Sequence, residues 1–199
     1  MKKLLIIAAL LGTLSLLAYD QADLKLVLEE KECFGCDLRD ANLSNIDFSG
    51  GDFIETDFSG ADLHGSIFFM SDMSEANLSN TNAKGTIFWK ASMIHTDLRY
   101  MDAKKANFKG TRLNKSDLSF ADLRESKSWK ANFTDAILLN TDFTDAELGS
   151  AKFVHTDLTT TKLSNTILWK THFQNTKMTP AQYQHALREE ALLDTDSSH

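Results

Sequence analysis

The sequence predicts an all-β solenoid with a short helix at each end. Three observations predict it. From Cys36 to Pro180 the chain reads in fives, as in "ANLSN IDFSG GDFIE TDFSG ADLHG". The third residue of each five, its centre, runs from Leu38 to Met178, and 26 of the 29 centres are Leu, Phe or Met. Two places before the centre stands Ala, Ser, Thr, Gly or Cys in 27 of the 29, with Ile46 and Met101 the exceptions. A period of five fits neither the helix period of about 3.6 nor the strand period of about two. A helix would spread the centres around its whole circumference, so the pattern requires a coil that turns every fifth residue inward.

Residues 1–18 differ from the rest. Lys2 and Lys3 precede a run from Leu4 to Ala18 that carries no charge. A basic start followed by an apolar stretch is the pattern of a secretory signal peptide. The run is shorter than the ~20 residues a spanning helix needs. Cleavage after Ala18 is expected, giving a periplasmic or secreted protein. The alternative is an uncleaved N-terminal membrane anchor, the one route by which the chain would meet a membrane.

Residues 19–35 read as an N-terminal cap. In "DLKLVLEEKE", Leu24, Val27 and Leu28 fall at i, i+3 and i+4, the stripe of a short amphipathic helix. Cys33 and Cys36 are the chain's two cysteines, and in an exported protein their expected state is a disulfide. A redox reading of C-x-x-C needs a βαβ setting that nothing here suggests.

Residues 36–179 are the solenoid. Its centres stack into an apolar column, each burial contributing roughly 1.5–3 kcal/mol, and the small residue two places earlier fits the inner corner. Ala83, Ala103 and Ser128 are the unusual centres. Ser128 needs a partner for its hydroxyl, or the wall must bend outward. Residues 180–193 read as a C-terminal capping helix, with Thr179 as N-cap, Pro180 as first helical residue and Gln182 at N3. Residues 194–199 read as a disordered tail.

The five-residue pattern, almost unbroken from Cys36 to Pro180, resembles that of the pentapeptide repeat family. The resemblance implies a right-handed quadrilateral β-helix. Four fives make one square coil, with the centre and the small residue facing in and the other three facing out. The chain then has about seven coils, a tower about 35 Å tall at the spacing of paired strands.

On that frame the three tryptophans gain meaning. Trp89, Trp129 and Trp169 lie forty residues apart, two coils each time, and each follows a centre and precedes a lysine. They face outward on one wall with Ile67, Phe69, Met70, Ile87 and Ile167, flanked by Lys90, Lys109, Lys130 and Lys170. Trp89 and Trp129 are expected about 10 Å apart, with Lys109 between them for a cation–π contact with either ring. A contiguous exposed apolar patch marks an interaction site.

Other chemistry is missing from the sequence. There is no catalytic constellation, no metal-ligand cluster, no cofactor motif and no phosphate-cradling glycine loop. The Asp residues just before the centres follow the repeat itself. A net charge of −7 gives no case for nucleic acid as a partner. The expected function is a non-enzymatic, exported scaffold that binds a protein partner or a second copy of itself through the Trp-rich wall. One alternative is cell-wall glycan binding by the spaced rings. The other is implied by the resemblance: family members that mimic DNA present an acidic rod to DNA gyrase, a reading that applies only if the chain is not exported.

Overall fold

Hydrogen bonds between residues about twenty apart hold the molecule together. In the computed structural model, which describes residues 19–194, parallel bridges join Glu32 to Asp52, Asp37 to Asp57, Asn42 to Asp62 and Asp47 to Ile67. The same step repeats up to Asp157 and Lys177. Four fives therefore return the chain to the same wall. The expected signal segment, residues 1–18, and the tail beyond Asp194 lie outside the described residues.

Each five makes one short bridge and one turn. Phe48 N–H donates to Ile67 O at 2.7 Å, Ile67 N–H to Ile46 O at 2.9 Å, and Gly51 N–H closes the turn onto Phe48 O at 3.1 Å. The second residue after the centre takes a positive φ, as at Gly50, Asn80 and Lys90, which is the mark of a type II turn. Even Met70, Tyr100 and Phe120 are held there, although the left-handed region costs about 1–2 kcal/mol for a residue with a Cβ. Thr160 stands at such a corner without the positive φ. Its branched Cβ disfavours that region, and its hydroxyl instead accepts the Asn140 N–H at 3.0 Å.

Two features of the repeat acquire a cause here. The Asp or Asn before the centre accepts the backbone N–H two residues on, as Asp47 does from Ser49 at 2.8 Å and Asp57 from Ser59 at 2.9 Å. These are Asx turns that shape each corner. The small inward residue offers more than small size. Ser66 donates to Leu43 O at 2.6 Å, Thr111 to Phe88 O at 2.6 Å and Thr141 to Leu118 O at 2.8 Å. Phe88 O and Leu118 O also accept the turn N–H of Ala91 and Ala121 at 3.0 Å, so the hydroxyl is a second donor there, contributing about 0.5–1.5 kcal/mol.

The centres are buried, save the half-buried Met178 at the C-terminal end. Phe48, Phe68, Phe88 and Phe108 stack at 5.1, 5.5 and 5.1 Å between ring centroids. The column then meets Ser128, which is fully buried and finds its partner in the Ser126 hydroxyl at 3.2 Å. The ladder passes it unbroken, Ser128 N–H donating to Glu147 O at 2.8 Å, so the wall does not bend.

At the N-terminal end, helix α1 (Gln21–Glu30) is capped by Asp20, whose carboxylate accepts from Ala22 and Asp23. Val27 is buried and Leu24 and Leu28 pack against the core. Asp23 takes up the edge N–H of Asp37 at 2.8 Å. The ladder begins one five earlier than Cys36. Cys33 is itself a buried centre whose N–H donates to Asp52 O at 2.7 Å. It is bonded to Cys36, with Cα atoms 5.5 Å apart, and the paired sulfurs supply bulk that Leu or Phe gives elsewhere.

At the other end, β1 (Lys152–Val154) and β2 (His172–Gln174) run parallel, and helix α2 (Pro180–Arg188) follows. Thr179 and Gln182 form a capping box, and Gln182 Nε2 also donates to the carbonyls of Leu158 at 2.6 Å and Thr161 at 2.9 Å. The helix ends at Arg188 rather than continuing to residue 193. The chain turns back, and β3 (Leu192–Leu193) pairs parallel with β2. The physical reason is the open edge: Leu192 N–H donates to Thr171 O at 2.8 Å, satisfying a carbonyl that the helix leaves free. Asp194, assigned from sequence to the tail, accepts the Asn175 N–H at 3.0 Å.

Candidate functional site

The twenty-residue step sets the tryptophan wall. Ile67 bridges Ile87, Ile87 bridges Asn107, and Glu147 bridges Ile167, so these residues share one column. Phe69, Trp89, Lys109, Trp129, Gly149 and Trp169 form the column beside it. Met70, Lys90, Lys130 and Lys170 occupy the left-handed corner. Met70, Trp89, Ile167 and Trp169 are exposed, Trp129 half-buried.

The wall holds two aromatic clusters rather than one even row. In the first, the Phe69 and Trp89 rings lie 4.9 Å apart and Lys90 Nζ stands 5.3 Å from the Trp89 centroid. In the second, Trp129 and Trp169 approach to 6.3 Å, tilted by 56°, and Lys170 Nζ sits 4.2 Å from the Trp169 ring. Two residues on one column two coils apart would stand about 10 Å apart at strand spacing. They come closer because Gly149 lies between them with no side chain. A Cβ built there would collide with the Trp129 ring. The indole Nε1 of Trp129 then donates to Glu147 Oε2 at 2.7 Å.

Lys109 departs from the sequence expectation. Among the described residues the cations over rings are Lys90 and Lys170, each the direct neighbour of its tryptophan, and Lys109 sits over neither Trp89 nor Trp129. The corner residue leans along the wall toward the ring before it, whereas Lys109 extends into solvent between the clusters. Lys130 is likewise exposed.

Charge on this wall runs against the rest of the chain. Lys90, Lys109, Lys127, Lys130 and Lys170 face out here, with Glu147 as the opposing carboxylate between Ile67 and Lys170, on a molecule of net charge −7. Glu147 escaped sequence reasoning because its role depends on the ring folding over Gly149.

A second exposed pair also escaped it. Tyr100 and Phe120 stack face to face at 5.0 Å and 6° on the wall opposite the tryptophans. With Ile137 and Leu139 they are 44–56% exposed. The interval of twenty from Tyr100 to Phe120 is the signal that would have found them.

A family model for pentapeptide repeats matches residues 32–68, 71–110, 91–127 and 130–165, in eight copies. A search of curated proteins by sequence gives no match. Among solved structures, the chain is similar to QnrB1, a plasmid-mediated fluoroquinolone resistance protein, at 20% identity over 81% of this chain and 93% of that one, TM-score 0.47. HetL, a pentapeptide repeat protein involved in heterocyst differentiation regulation in Nostoc sp. PCC 7120, shows 20% identity over 78% and 86%, TM-score 0.20. A pentapeptide repeat protein of the Arabidopsis thaliana thylakoid lumen shows 20% identity over 81% and 85%, TM-score 0.20.

Proposed function

The chain belongs to the pentapeptide repeat family, whose members fold as right-handed quadrilateral β-helices, and on that premise we propose that it is an exported, non-enzymatic scaffold that binds protein through its tryptophan wall. One observation carries the reading. All three tryptophans, with aliphatic side chains and five lysines, gather on a single wall of a chain of net charge −7, while the opposite wall carries the Tyr100–Phe120 stack with neither tryptophan nor an excess of lysine. Binding energy at protein interfaces concentrates on Trp, and Lys90 and Lys170 stand beside the Trp89 and Trp169 rings at the surface. Export rests on the basic and apolar N-terminal segment.

The two alternatives fit the wall less well. Rings tilted by 56° make a poor platform for successive sugars, which stack on flat faces. A DNA mimic needs continuous acid along its length, and the lysine row interrupts it. The test is a photoreactive residue in place of Trp89, irradiated in intact cells and followed by isolation of the envelope fraction. A crosslinked protein band that disappears when Trp129 and Trp169 are replaced by alanine supports the reading. Crosslinks confined to glycan, or none above the level of the same probe at Ser164 on a flanking wall, overturn it.

A further inference from the structure

We propose that the occupant of the tryptophan wall is the opposite wall of a second copy of this chain, so that copies associate side by side in an open row. The inference rests on the reading of the tryptophan wall given above and names its partner. Three observations carry it.

The first is charge. The tryptophan wall is apolar and basic. The opposite wall is apolar and acidic on balance, with Asp57, Asp97, Asp117 and Asp157 around Tyr100, Phe120, Ile137 and Leu139, although Arg99 pairs with Asp97 at 2.6 Å and Lys177 with Asp157 at 3.8 Å. Complementary potentials on two faces of one molecule favour heterologous contact between copies.

The second is register. The chain crosses opposite walls of a square coil in opposite directions and half a coil, ten residues, apart. In a copy shifted sideways without rotation, the residue after a centre on one wall faces the residue before a centre on the other. Lys109 then meets the level of Asp97 and Asp117, and Trp129 meets Ile137. The exposed Lys109, which sits over no ring of its own chain, gains the carboxylate of Asp117 to pair with, Asp97 being held by Arg99 at 2.6 Å.

The third is exposure. Tyr100 and Phe120 hold φ of 59° and 62° at corners where Gly or Asn is preferred. The corner conformation is common to the repeat; what sets these two apart is large aromatic surface left in water, 56% and 44% exposed. A contact between two different walls does not close on itself, so it propagates into rows rather than stopping at a dimer.

Sedimentation velocity on the purified protein across a concentration series decides the matter. The intact protein should form a ladder of species beyond the dimer, weakened by salt. W89A/W129A/W169A and Y100N/F120N/L139S should each remain monomeric, and an equal mixture of the two should give a heterodimer that grows no further, because each retains one intact wall. Asn suits the left-handed φ, so the second variant keeps its corners. A milder pair guards against misfolding. K109E and D117K should each weaken association about tenfold, and mixing them should restore it, because both contacts between unlike copies then join opposite charges. Monomeric intact protein at every concentration overturns the inference. So does Y100N/F120N/L139S associating like the intact protein, which leaves the tryptophan wall with another partner and the proposed function standing. If W89A/W129A/W169A also associates like the intact protein, self-association through the tryptophan wall fails as well.

Discussion

Replacing Gly149 by alanine tests how the tryptophan wall is built. Gly149 does not have a positive φ, so its backbone accepts alanine without strain. The obstacle is the Trp129 ring, whose Cζ3, Cε3 and Cη2 atoms occupy the place of the new methyl group. The ring must lift, which breaks its 2.7 Å bond to Glu147 and its contact with Trp169. The hydrogen bond contributes about 1 kcal/mol and the ring pair about 0.5–1.5 kcal/mol. Against this, alanine restricts the unfolded chain and returns about 0.4–1 kcal/mol. The net effect is a loss of about 0.5–2 kcal/mol, read as a fall of about 1–8 °C in Tm for a chain of this size. Tryptophan emission should shift to the red as Trp129 meets water. In a W129A background the same substitution should be neutral or stabilising, because the obstacle is gone. An equal loss of Tm in both backgrounds would refute the account, since the cost would then lie in the backbone of Gly149 and not in the ring above it.

Three further outcomes follow from the core and the surface. Thr111→Val removes a hydroxyl that donates to Phe88 O at 2.6 Å beside the turn bond from Ala91 N–H at 3.0 Å while keeping the shape, and should cost about 0.5–1.5 kcal/mol in chemical denaturation, whereas Thr160→Val, at an exposed corner, should cost less than half as much. S126A/S128L replaces a buried hydroxyl pair with the residues of an ordinary five and should raise Tm, whereas S128A alone, which strands Ser126, should lower it. Asp37, Asp47, Asp157 and Glu125 are held below their ordinary pKa by hydrogen bonds from Arg39, Ser49, Thr159 and Lys104 respectively. Their folded pKa values lie below the unfolded ones, so this stability is complete above the ordinary carboxylate range and lost as pH falls through the lowered folded values. Thermal midpoints should stay level from neutral pH down to about 5 and decline below about 4.

What the sequence revealed was whatever repeats at a fixed interval. Leu and Phe centres, the small inward residue and the shared wall of Trp89, Trp129 and Trp169 all follow from counting in fives and twenties. What it hid depends on three-dimensional neighbours. Cys33 did not read as a centre because one sulfur is small, and only its bond to Cys36 fills the coil. Leu192 and Leu193 sit too close to a helix to announce a strand, and the free edge at Thr171 draws them into one. The Trp129–Trp169 approach turns on a single missing side chain at Gly149. Lys109 was expected between the rings because the column put it there. A column position fixes where a side chain starts and leaves its direction to flexible rotamers.

The ladder of twenty also makes the surface adjustable by rotation. Removing one whole five between Trp129 and Trp169 would keep every centre inward and every bridge paired. It would also swing Trp169 a quarter turn onto the neighbouring wall. Four such steps bring it home one storey lower. The interior thus tolerates insertions and deletions counted in fives, whereas a pattern painted on one wall survives only those counted in twenties. The intervals of forty between Trp89, Trp129 and Trp169 are such multiples, so the phase of the outer surface carries a constraint that the core alone does not impose.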